Sequence, residues 1–156
     1  ARNVIGLPSI RRFENEFGSR MTSVKWSKCE SRLNNLYTSR WPHVPIFTVS
    51  SDESEATKLF QNGFFAAKIA YWNECRTLTD KLGLDWESVM GAILADGRIH
   101  PSHTQVPGPD GQRGYGGSCL PKDLVQLIVE LDRNGLRADV TSAAILRNGY
   151  DRKEKS

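Results

Sequence analysis

Little in this chain marks it at first sight, and the scarcities are informative. Its 156 residues hold three cysteines, Cys29, Cys75 and Cys119, an odd set without a Cys-x-x-Cys pair. That excludes a disulfide framework and a zinc ribbon, and makes a reducing, cytoplasmic compartment the expectation. No apolar run approaches the roughly 18 residues of a membrane span, and the opening ARNVIGLPSIRRFENEF lacks the hydrophobic stretch of a secretory signal, so no membrane partner is expected. Histidines number three. His100 and His103 form a His-x-x-His pair, but the remaining His43 is remote and no acidic ligand stands at a suitable spacing, so no metal site is expected. No internal repeat is evident.

What is present describes a packed domain. Hydrophobic residues make up 38% and charged residues 25%, which argues against disorder. The 21 Lys+Arg against 18 Asp+Glu give a net charge of +3, unevenly spread. Residues 1–50 carry eight basic and three acidic side chains, whereas residues 51–156 are net negative by two. A basic segment containing Trp26 and Trp41 would suit nucleic acid. Its charges are spaced rather than clustered, however, and fit solvated faces, so no nucleic-acid partner is expected.

The pattern divides the chain near residue 50. Asn3–Leu7 reads as a buried strand, residues 24–40 as a helix with Val24, Trp26 or Cys29, Leu33, Leu36 and Tyr37 on one face, and 44–49 as a second strand after Pro42. From Ser51 the sequence turns helical. Asp52 and Glu55 resemble a capping box, apolar positions continue to Leu82, and Gly83 suits the position just beyond a helix end. That makes a spine helix of about thirty residues, ~45 Å long. Asp85 should cap a second helix through Ala95. Pro121 should open a third that closes at Gly135, and Asp139 should cap a fourth. Residues 97–118 read as one long loop, of a length that itself suggests function. The fold class expected is mainly α, a helical domain (51–156) preceded by a short α/β segment (1–50).

Two constellations carry chemistry. In Gly114-Tyr115-Gly116-Gly117-Ser118-Cys119-Leu120-Pro121-Lys122-Asp123, glycines let the backbone approach a ligand and a helix begins beside the thiol. The helix end and Lys122 would favour thiolate at Cys119, and Asp123 stands one turn along. A buried cysteine behind a glycine turn is the competing reading, and spacing alone does not choose. Lys58 and Asn62, four apart on the spine, can stabilise a developing oxyanion or simply face solvent.

EATKLFQNGFFAAKIAYWNE (55–74), ADGRIHP (95–101) and GYGGSCLPKD (114–123), in that order, resemble the central helical domain of the UDP-glucose/GDP-mannose dehydrogenase family. More weakly, 1–50 resembles the final part of that family's NAD-binding Rossmann domain. The resemblance implies an oxidoreductase that converts the C6 alcohol of a nucleotide sugar to a carboxylate in two NAD-dependent steps. It makes Cys119 the nucleophile, through a thiohemiacetal and a thioester, with Lys58 and Asn62 on the oxyanion and water. Asp123 would serve hydrolysis, and Lys122 the cofactor side. Arg98, Tyr115, Gly116 and Gly117 would bind substrate, Arg98 reaching across a homodimer built on the long helix.

The departures are equally specific. No Gly-x-Gly-x-x-Gly turn for a dinucleotide occurs in the sequence, and neither the family's substrate-binding loop nor its second nucleotide-binding domain is recognisable. Residues 7–23 and 106–112 look like insertions. The expectation is therefore part of a nucleotide-sugar dehydrogenase that does not reduce NAD on its own and takes a separate NAD-binding chain or domain as partner. Two alternatives stand beside it: a non-oxidising module for dimerisation or sugar-nucleotide binding, and a small thiol hydrolase using Cys119. Ser118 beside Cys119 looks more like the UDP-glucose or GDP-mannose branches than the N-acetylmannosamine branch.

Overall fold

The computed structural model describes residues 3–7 and 23–153, so the insertion read at 7–23 lies, but for its two end residues, outside them. Two compact units, Ala1–Lys58 and Leu59–Ser156, divide inside the spine helix. In the first, β1 (Asn3–Leu7), α1 (Ser23–Arg40) and β2 (Ile46–Ser50) form a strand–helix–strand unit. The strands pair in parallel, from Asn3 opposite Ile46 to Leu7 opposite Ser50. A parallel pair cannot be closed by a hairpin, and α1 supplies the crossover. The second strand starts two residues later than the apolar run suggests. Pro45 has no N–H for a ladder, and Val44 is taken into a turn on the Trp41 carbonyl (3.1 Å). The apolar stripe expected on α1 is only partly buried: Leu33 and Tyr37 are half-buried, while Cys29 and Leu36 are exposed.

The spine, α2 (Ser51–Lys81), follows β2 without a break. Its cap lies two residues before the expected Asp52–Glu55 pair. The Glu53 N–H donates to Ser50 Oγ (3.2 Å) and the Ser50 N–H to Glu53 Oε2 (2.7 Å), a reciprocal capping box. Because the helix begins directly after the strand, the strand's last residue, Ser50, occupies the cap and the same three-residue spacing is met by Glu53. At the other end, the Leu84 N–H reaches the Thr79 carbonyl (3.1 Å) and the Gly83 N–H that of Asp80 (3.2 Å), the expected glycine stop.

Within the second unit α2 continues into α3 (Trp86–Ala95), whose Asp85 cap accepts from the Ser88 N–H at 3.1 Å. Residues 96–118 contain neither helix nor strand, and α4 (Cys119–Arg133) and α5 (Asp139–Lys153) complete the unit. Two starts differ from expectation. Helix α4 opens at Cys119, with Pro121 third in its first turn, where a missing N–H still costs nothing. Asp139 is the first residue of α5 rather than its cap, and its carboxylate is occupied by Arg137 at 3.0 Å.

One core cluster joins α2, α4 and α5 through Ala66, Ala70, Leu124 and Ala144, with Tyr115 from the loop. A second gathers Trp72, Trp86, Met90 and Val106. Small residues on α2 allow the close approach. A Cβ placed on Gly63 would lie 2.8 Å from Leu127 Cδ2 of α4. Replacing Gly63 by Val should therefore cost about 1–3 kcal/mol of stability through overpacking. Adding Leu127→Ala should recover part of that loss, a coupling readable from urea midpoints of the two single variants and the double variant.

Candidate active site

Helix α4 starts on Cys119, so its thiol sits among the unpaired amides of a first turn, where partial positive charge accumulates. The thiol is exposed and in no disulfide. The competing reading of a buried cysteine behind a glycine turn thus fails on exposure. One turn along, Asp123 is buried, with 8% of its side chain exposed. Both carboxylate oxygens are engaged: the buried Asn62 Nδ2 donates to Oδ2 from α2, and the exposed Lys122 Nζ donates to Oδ1. A carboxylate this far from water needs such donors. Lys122 is held above the usual ammonium range by its hydrogen bond to Asp123, against some desolvation, with the field of Cys119 adding. Lys58 stands one turn before Asn62 on α2, in the first compact unit.

The loop that delivers Cys119 is tied down from two helices. The Gly114 N–H donates to Asn73 Oδ1 of α2 (3.0 Å), and the Tyr115 N–H to Asn148 Oδ1 of α5 (2.6 Å). Gly114 has φ +68°, and a Cβ there would fall 2.4 Å from Asn148 Oδ1, so only glycine serves on both counts. Arg152 of α5 donates from Nη2 to the Gly114 carbonyl (3.4 Å) and from Nη1 to Asp110 Oδ2 (2.9 Å). Its guanidinium lies against Gly116, where a Cβ would be 2.8 Å from Nη2. The 106–112 segment forms a closed turn, the Gly108 N–H meeting the Gln112 carbonyl at 2.8 Å.

Tyr115, Gly116 and Gly117 line a cavity of about 560 Å3 together with His103, Asp110 and Arg152. Tyr115 is itself buried, 5% exposed, in the first core cluster, and its hydroxyl donates to the Ala144 carbonyl at 3.4 Å. Arg98 stands apart, highly exposed, and pairs with Asp96 through Nη2 at 2.8 Å. It lines a different cavity, beside Phe64, Lys68, Tyr71 and Trp72. His103 stacks on Phe65 at 4.1 Å between centroids, and the His100 and Ser102 carbonyls accept from Lys68 Nζ (2.5 and 2.7 Å).

Of the residues expected from sequence, the fold joins Asn62 to Asp123, with Cys119 one turn before Asp123 on α4; the residues that hold the loop, Asn73, Asn148 and Arg152, were not singled out. Their signal was faint, a polar pair four apart (Asn148, Arg152) on a helix that carries several other polar residues. Tyr115 offers a check on the packing of this site. Burial pushes its hydroxyl up to about 12, from about 10 when unfolded. Its neutral form is thus favoured by folding, so that stability is whole below pH 10 and falls as pH rises from about 10 to 12. Tyr115→Phe should flatten that alkaline decline in urea unfolding followed from pH 8 to 12.

Residues 52–150 match the UDP-glucose/GDP-mannose dehydrogenase family, central domain. A UDP-glucose 6-dehydrogenase of Streptococcus pneumoniae is 39% identical over 84 residues, which is 54% of this chain and 20% of that protein. UDP-glucose 6-dehydrogenase 2 of Arabidopsis thaliana is 32% identical over 109 residues, 70% of this chain and 22% of its own length. Among solved structures, a UDP-glucose dehydrogenase from the hyperthermophilic archaeon Pyrobaculum islandicum superposes with a TM-score of 0.68 at 30% identity. It covers 80% of this chain and 27% of that one. The chain thus spans between 20% and 22% of these two curated relatives. With its helical core, its glycine loop and its thiol-bearing α4 inside the matched stretch, the chain belongs to the UDP-glucose/GDP-mannose dehydrogenase family, whose central domain it carries.

Proposed function

We propose that this chain contributes the thiol and carboxylate part of a nucleotide-sugar dehydrogenase active site, in an enzyme that oxidises the sugar C6 alcohol to a carboxylate. The observation that carries the reading is Asp123, buried and held by Asn62, one turn from the exposed Cys119 at the start of α4. A structural carboxylate would more economically stay at the surface.

In this proposal the Cys119 sulfur attacks the aldehyde carbon and a C–S bond forms as the carbonyl electron pair moves onto oxygen. Lys58 and Asn62 hold that oxyanion. After oxidation to the thioester, water attacks the same carbon and Asp123 takes its proton. The C–S bond then breaks, with Cys119 leaving as thiolate. NAD, when bound, accepts the two hydrides. This chain does not itself fit that cofactor: the sequence has no Gly-x-Gly-x-x-Gly turn, so no hydride step is assigned to its residues. Residues 1–50, with the β1–α1–β2 unit, suit the closing part of an NAD-binding Rossmann domain, and 51–156 the helical central domain. Lys122 lies toward the cofactor side, and the chain alone does not reduce NAD. Tyr115, Gly116 and Gly117 lie along the nucleotide sugar.

Cys119 should react with iodoacetamide at neutral pH several-fold faster than Cys29 or Cys75, as peptide mapping of the labelled chain would show. Rates equal to that of Cys29, which is also exposed, would remove the thiol from the mechanism.

The reading also includes a homodimer. Phe60, Phe64, Tyr71 and Leu78 form an apolar stripe on α2, each about 60% exposed. Arg98 lines a cavity with Phe64 and Tyr71 on that same stripe, which supports its reaching toward a second copy. Light scattering at micromolar concentration should give twice the chain mass, and Phe64→Glu with Tyr71→Glu should give the single mass. A wild-type monomer would sink the dimer without touching the thiol chemistry.

A further inference from the structure

Between the loop and α5 lies a second cavity, of about 280 Å3, which the thiol chemistry does not use. Arg76, Arg113 and Arg152 line it, with Gln112, Asp151 and the apolar wall of Pro107. The guanidiniums are short of counter-charge. Arg76 and Arg113 share one carboxylate, Asp80, which Arg76 meets at 2.8 Å. Asp151 is already neutralised by Arg147 in a two-pronged contact at 2.7 and 3.2 Å. Arg152 has Asp110, yet its buried Nε has no acceptor among the described residues. Among the described residues, three guanidiniums and one carboxylate line the cavity, and their ion pairs bring in Arg147, Asp80 and Asp110, four guanidiniums to three carboxylates. A surplus positive charge, partly withdrawn from water, is costly unless an anion completes it.

We propose that this cavity is a phosphate-binding site, taking a phosphoryl group either free or on a small metabolite. Arginines that line one space from three segments, α2 (Arg76), the loop (Arg113) and α5 (Arg152), suit an anion with three or more oxygens better than a flat carboxylate, which one fork would satisfy. Gln112 sits beside them, and its backbone N–H donates to Asp110 Oδ1 (3.1 Å), leaving the side-chain substitution open without cutting that bond. Occupancy would brace the loop against both α2 and α5, the two helices that hold Gly114 and Tyr115. The site does not depend on the proposed chemistry at Cys119.

The test is the thermal midpoint of the purified chain titrated with inorganic phosphate at constant ionic strength, with sodium chloride as the comparison. Phosphate should raise the midpoint saturably, and chloride should not. Gln112→Glu, which adds a carboxylate to the cavity, should weaken the apparent affinity tenfold or more. Gln112→Lys should strengthen it, and Cys119→Ala should leave it unchanged. UMP saturating at lower concentration than phosphate would assign the site to a phosphorylated metabolite, whereas equal or weaker action would assign it to free phosphate. A midpoint shift matched by chloride, or one that Gln112→Glu and Gln112→Lys both leave untouched, would overturn the proposal.

Discussion

Residues 96–118 run without helix or strand, so their backbone must find partners outside regular structure or stay in water. The amides of Gly114 and Tyr115 solve this by donating to Asn73 and Asn148, on helices that are far apart in sequence. Much else follows from those two bonds. They draw the loop between α2 and α5 and seat the Tyr115 ring in the core beside Leu124. They also set the point from which the chain enters α4 at Cys119. Without them the thiol would hang on a tether of more than twenty residues, with the entropy such a loop carries.

The same region concentrates charge in pairs. Arg152 with Asp110 and Arg113 with Asp80 tie the loop to α5 and α2, and Arg147 with Asp151 and Arg76 with Asp80 pair within those helices. Desolvation works against the ionised Asp80, but its hydrogen bonds from Arg113 and Arg76 outweigh that and hold it below the usual carboxylate range. For Asp110 the hydrogen bond from Arg152 is the leading cause of a similar lowering. Exposed pairs of this kind add little stability one by one. Their value here is orientation: Arg76, Arg113 and Arg152, fixed in this way, line one cavity, and Arg152 also lies against Gly116.

The carboxylate of the candidate site is buried. Asn62 and Asp123 meet where α2 and α4 come close, an approach that Gly63 allows by leaving room for Leu127. Helix packing and the candidate site are therefore one feature. Whatever separates α2 from α4 also parts the amide from the carboxylate, while Cys119, exposed at the end of α4, would move with the helix.

Local physics made much of this legible in advance. Helix limits near Gly83, the Asp85 cap and the strand–helix–strand order depend on neighbours within a few residues, and so does the placement of a thiol in the first turn of a helix. The misplaced caps at Asp52 and Asp139 are errors of register within that same local range. Only the tertiary structure decided which polar residues matter. Asn73, Asn148 and Arg152 look in sequence like the open face of any helix. A hydrogen bond across 41 or 33 positions leaves no mark on periodicity, because its partner is chosen by how the helices pack and not by the spacing along either one.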